Sequence, residues 1–107
     1  MKQYRVVFTK RARENAIDAA RYIARASPAN SKKWYLGLRK AVNSLNRMPA
    51  PCGRARERGA FNEDLRQYIY HSHRIIFRIE EELAIVRVLH IRHAAQRALD
   101  EESEEIE

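Results

Sequence analysis

The stretch Leu65–Ile79, LRQYIYHSHRIIFRI, is the strongest constraint on how this chain folds. It reads as two β-strands joined by a tight turn at HSH. In the second strand Ile75, Phe77 and Ile79 occupy one parity, and Arg74, Ile76 and Arg78 the other. Side chains of a strand alternate between faces, so the apolar parity packs on other elements and Arg74 and Arg78 point away from them. On the preceding strand Leu65 and Ile69 are expected to share the apolar face. Arg66, Tyr68 and Tyr70 would then join the arginines on the open side. Such a face is either simply solvated or built to hold something anionic.

The rest of the chain supplies what packs on this sheet. Tyr4, Val6 and Phe8 alternate as a short first strand. Thr9 can cap a helix through its hydroxyl. Ala12, Ala16, Ala19, Ala20 and Ile23 then recur at helical spacing, a face of small residues suited to close packing. Ser27-Pro28 reads as a helix break with immediate restart, Ser27 capping and Pro28 at the first helical position. Trp34, Leu38, Ala41 or Val42, and Leu45 form a second amphipathic stripe that ends before Pro49. So short a link predicts an antiparallel helical hairpin. A Pro/Gly-rich loop follows, holding Arg54, Arg56 and Arg58. Three strands are predicted after it, about 64–70, 74–79 and 83–91. The last is apolar on both parities, as a central strand would be. The predicted fold class is α+β, in the order β-α-α-β-β-β. Its sheet is small, curved and mostly antiparallel, with the helical hairpin packed on one face.

Charge bounds the partners. The chain has 107 residues with 21 Lys+Arg and 14 Asp+Glu, a formal net charge of +7. Six of those acids lie in Asp100–Glu107, which reads as a disordered acidic tail. Residues 1–99 therefore hold every Lys and Arg and the remaining 8 acids, a formal +13. They are expected to form a single domain with an anionic partner. No apolar run approaches a membrane span. The opening MKQY is too polar for a signal peptide, so a cytoplasmic protein is expected. The single Cys52 rules out an internal disulfide and a cysteine-based zinc site. No Gly-rich phosphate loop, Ser-His-Asp set or paired core carboxylates appear, and no cofactor or metal is expected.

Five segments together resemble the RelE/ParE superfamily of bacterial type II toxin–antitoxin toxins. They are YRVVFTKRA, RYIARASP, LNRMPAPCGR, LRQYIYHSHRIIFRI and VRVLHIRHAAQR, in that order over residues 4–97. The superfamily includes plasmid-stabilisation proteins, which the closing LHIRHAAQR resembles most, along with ParE-like members. The resemblance implies a growth-inhibiting toxin neutralised by a cognate antitoxin in a hetero-oligomer. It implies one of two targets: DNA gyrase, inhibited by protein contact as in ParE-like members, or ribosome-bound mRNA, cut as by RelE-like endoribonucleases.

These targets ask different things of the residues. Metal-free RNA cleavage needs a base for the ribose 2′-OH, cations against the phosphorane charge and an acid for the leaving oxygen. By resemblance Arg74 falls at the family's strand arginine, Arg66 at or near a lysine, and Tyr68 in place of another lysine. No tyrosine follows Arg97 where RelE-like enzymes keep a C-terminal aromatic. Arginine stays charged and is a poor base or acid. The resemblance implies that His93, or His90, could take the proton-transfer role, as a histidine does in some relatives. If the chain is a ribonuclease, its catalytic residues are thus Arg74, Arg66 and His93. If it is not, Arg66, Tyr68, Arg74, Arg78, Arg92 and Arg97 form a surface for nucleic acid or an acidic partner. The reading favours the ParE-like alternative. His71 and His73 are read as polar turn residues, Trp34 as core and Arg78 as solvated.

Overall fold

The computed structural model describes residues 3–47 and 65–94. The elements are β1 (Arg5–Phe8), α1 (Lys10–Ala26), α2 (Pro28–Asn43) with a closing 3-10 turn (Ser44–Asn46), β2 (Arg66–Tyr70), β3 (His73–Glu80) and β4 (Ile85–His93). One four-stranded sheet has the order β1-β4-β3-β2. β1 runs parallel to β4, while β3 is antiparallel to both β2 and β4. This is the predicted α+β arrangement.

Local chemistry explains the hairpin. The Thr9 hydroxyl accepts from the Ala12 amide at 3.1 Å and starts α1. Ser27 serves both helices: its amide donates to the Ile23 carbonyl at 3.0 Å, and its hydroxyl accepts from the Asn30 amide at 3.2 Å. Pro28 follows at the first turn of α2, where its missing amide hydrogen costs nothing. Buried Ala12 and Ala16 let the helices approach, and the Ser31 hydroxyl donates to the Ala20 carbonyl at 2.6 Å. Ala12, Ala16, Leu38, Val42 and Leu45 pack on Ile75, Phe77, Val86, Val88 and Ile91 of the sheet in one core.

A bulge resolves the double apolar parity of the last strand. Ile76 pairs with His90 but Phe77 pairs with Val88, so Leu89 is the extra residue. The core side of β4 is therefore Val86 and Val88, then Ile91, with the alternation reset between them. α1 secures backbone groups on and beside this irregularity. The Thr9 hydroxyl donates to the Leu89 carbonyl at 3.2 Å, and Asn15 Oδ1 accepts from the Ile91 amide at 3.0 Å.

β2 differs from the expected facing. Tyr68 lies opposite Ile75, and Tyr70 opposite His73, so both tyrosines are on the helix side. Arg66 pairs with Phe77 and shares that side, whereas Ile69 pairs with Arg74 and is 52% exposed. The aromatic rings cover more core than Ile69 would. The Tyr70 hydroxyl also reaches α2, donating to the Trp34 carbonyl at 3.0 Å.

Candidate functional site: an arginine row and a histidine cleft

The sheet face turned from the helices carries Arg74, Ile76, Arg78 and Glu80 of β3. Across from them on β4 are Arg92, His90 and Arg87. Arg74 stands directly opposite Arg92, and Arg78 opposite Arg87. Like charges so placed repel unless something compensates. At one end Glu80 compensates. Arg87 holds it through two bonds, Nε–Oε2 at 2.6 Å and Nη2–Oε1 at 3.1 Å, and Arg78 Nε adds a third at 2.9 Å. The hydrogen bonds from Arg87 and then Arg78 hold the Glu80 carboxyl down to about 2. The same pairing raises the pKa of Arg87 further. Arg78 is therefore an ion-pair member rather than a merely solvated side chain.

Arg74 is not on an open surface. It is 3% exposed, and its Nη1 donates to Gln67 Oε1 of β2 at 3.3 Å. Ile76 beside it is 0% exposed although it faces away from the helices. The centre of this face is thus buried.

The helix side forms a second feature. His73 shares the parity of Ile75 and Phe77, which turns its ring inward to meet Trp34 edge-on at 5.0 Å and His93 at 5.3 Å. The Trp34 ring continues to Tyr70 at 6.1 Å. His73 Nδ1 is buried without a hydrogen-bond partner. Burial, and then the charge of His93, push the His73 pKa below its usual value. Burial also raises that of the Tyr70 phenol. An open cleft of about 810 Å³ lies at this end, bounded by Asn15, Asp18 and Tyr22 of α1, Trp34 of α2, and His73 and His93 of the sheet. His73 is therefore more than a turn residue. Its parity with the core residues was the available signal for that role. Glu80 could likewise have been found, two residues after Arg78 on the same face.

The structure brings together Arg74, Arg78 and Arg92 and adds Arg87 and Glu80. It places Arg66, Tyr68 and His93 on the opposite face, since His93 pairs with His73. Arg97, Arg54, Arg56, Arg58 and the acidic tail lie outside the described residues. Among the described residues no group of three or more His, Cys, Asp or Glu is gathered to hold a metal ion. Nor is any helix there long and apolar enough to cross a membrane.

The two-helix hairpin on one face of a β1-β4-β3-β2 sheet is the α+β architecture that the resemblance to the RelE/ParE superfamily implies. The family model described as the ParE toxin of the type II toxin–antitoxin system parDE matches residues 6–98. The chain belongs to that family and is a ParE-like toxin of a type II toxin–antitoxin system. Solved structures agree on the fold. The chromosomal ParDE system of P. aeruginosa matches with a TM-score of 0.68 at 14% identity, over 87% of this chain and 98% of that one. The RelBE2 toxin–antitoxin complex of Mycobacterium tuberculosis matches at 0.58 and 22% identity, over 90% and 97%. A double-arginine mutant of E. coli toxin RelE in the free state matches at 0.55 and 17% identity, over 97% and 95%. No curated protein sequence matches the chain significantly.

Proposed function

We propose that this toxin acts in the cytoplasm by protein contact with DNA gyrase and is neutralised by a cognate antitoxin in a hetero-oligomer. One observation carries the choice of target. The three residues a ribonuclease reading requires do not share a face: Arg74 points away from the helices, while Arg66 and His93 are on the helix side. Cleavage needs phosphate-binding cations and a proton-moving group at the same phosphate, within hydrogen-bond reach. Arg74 is also buried against Gln67, and arginine does not readily exchange its proton. What these residues offer is fixed positive charge without the proton-transfer half of a ribonuclease site.

Membership of the ParE family supports the gyrase reading. The similar ParDE system and RelBE2 complex support an antitoxin partner. An extended acidic antitoxin segment suits a body of formal charge +13, and Arg78, Arg92 and Arg97 are the proposed contacts, with Arg74 buried behind them. Inducing the chain alone in cells tests the reading. Gyrase-linked DNA breaks with intact mRNA are expected, and they should persist in His93→Gln. Codon-phased mRNA cuts that disappear in Arg74→Ala would instead establish the RelE-like activity.

A further inference from the structure

The outer face of α2 is the most one-sided charged surface among the described residues. α2 carries Lys32, Lys33, Arg39 and Lys40 and no acid. All four are exposed, and Leu36, 55% exposed, lies among them. At roughly 100° per residue these five positions fall within an arc of about 120°. Ser31, Leu38 and Val42 occupy the opposite side and are buried. The cations span about 12 Å along the axis at 1.5 Å per residue. None of the four side chains makes a hydrogen bond or ion pair among the described residues. By contrast, α1 mixes Lys10, Arg11, Arg13, Arg21 and Arg25 with Glu14 and Asp18.

We propose that this face of α2 is a docking surface for the phosphate backbone of duplex DNA. The composition favours phosphate over an acidic protein. Protein interfaces are depleted of lysine and centred on apolar, aromatic or arginine anchors, whereas this face has three lysines against one arginine and one leucine, and no ring. Protein–DNA interfaces are polar, strongly positive and dominated by backbone contacts. The composition also favours a duplex over a single strand. Single-strand binding relies on exposed rings for base stacking, and the two rings of α2, Trp34 and Tyr35, are packed against the core. The contact reads no sequence, because lysines on phosphates position a protein without specifying bases. It would hold the toxin beside DNA whatever its protein target, so it stands or falls independently of the gyrase reading.

The test is fluorescence anisotropy of the full chain with a labelled duplex of about two helical turns, over a salt series. Four phosphate contacts predict a log–log salt slope contribution of about −3.6, on the order of a hundredfold loss of binding between 50 and 200 mM salt. The Lys32→Gln/Lys33→Gln/Arg39→Gln/Lys40→Gln variant should lose about 3 units of that slope. Gln has nearly the helix propensity of Lys and Arg, so the helix is retained, which circular dichroism checks. A charge-matched α1 variant, Lys10→Gln/Arg11→Gln/Arg13→Gln/Arg21→Gln, should lose less than half as much. Equal losses from the two variants would overturn the proposal in favour of net charge alone. A chain that binds polyglutamate but not the duplex would overturn it in favour of an acidic protein partner.

Discussion

Gly37 lies in the second half of α2, where a glycine ordinarily weakens a helix. Replacing such a glycine with alanine at an open helical site adds about 1 kcal/mol of stability. Here the Tyr70 side chain occupies the space: a Cβ on Gly37 would overlap the tyrosine hydroxyl and lie 3.2 Å from Cζ. That hydroxyl is held by its bond to the Trp34 carbonyl at 3.0 Å. Gly37→Ala must push the ring away, losing about 0.5–1.5 kcal/mol of hydrogen bond and adding about 1–3 kcal/mol of overpacking. Set against the helix gain, the net expectation is a destabilisation of about 1–2 kcal/mol. Tyr70→Phe removes the overlapping atom, and in that background Gly37→Ala should cost under about 0.5 kcal/mol. Urea unfolding of the four proteins gives the coupling directly, expected at about 1–2 kcal/mol. Stabilisation of the parent by Gly37→Ala would refute the docking of β2 on α2 through Tyr70.

Three further expectations follow from the geometry. The Glu80 carboxyl is held down to about 2 by Arg87 and Arg78, so its contribution is full above the ordinary carboxylate range and disappears as pH falls toward 2. Glu80→Gln should therefore cost about 1 kcal/mol at pH 7 and almost nothing at pH 2, read as thermal melts across pH; the cluster is partly solvated, which limits the effect. His73 loses stability in the same direction for a different reason, because burial disfavours its charged form. Its lowered pKa means the unfolded chain binds more protons, so its contribution is complete above the ordinary pKa of about 6.5 and declines as pH falls below it. His73→Phe should flatten the fall in Tm between neutral pH and about pH 5; an unchanged slope would remove His73 as its source. Ala84 has φ of 52° in the turn before β4, a left-handed conformation that favours glycine. Ala84→Gly should raise stability by about 0.5–1 kcal/mol, or several degrees in Tm.

The legible parts of the fold were those with local chemistry. Thr9 and the Ser27-Pro28 pair announce their helix starts through capping alone, and the alternation in β3 identifies its core side. The facing of β2 was not legible. Ile69, Tyr68 and Tyr70 all suit strands, and a one-residue change in register exchanges the faces. Only the pairing of Tyr68 with Ile75 decides it. The β4 bulge was hidden for a related reason: with Val86, Val88, Leu89 and Ile91 apolar on both parities, no break in pattern marks Leu89. The consequence for the candidate site is direct. Arg66 and Arg74, which sequence parity placed together, stand on opposite faces. Arg74 kept its expected side, but its burial depends on packing that alternation does not reveal.

We propose for this toxin contact with gyrase rather than cleavage of RNA. The most direct measurement adds the purified chain separately to gyrase with supercoiled plasmid and to ribosomes programmed with mRNA. The account predicts inhibited supercoiling or trapped, cleaved plasmid, with the mRNA left whole. Cleavage of the ribosome-bound message with gyrase unaffected would contradict it.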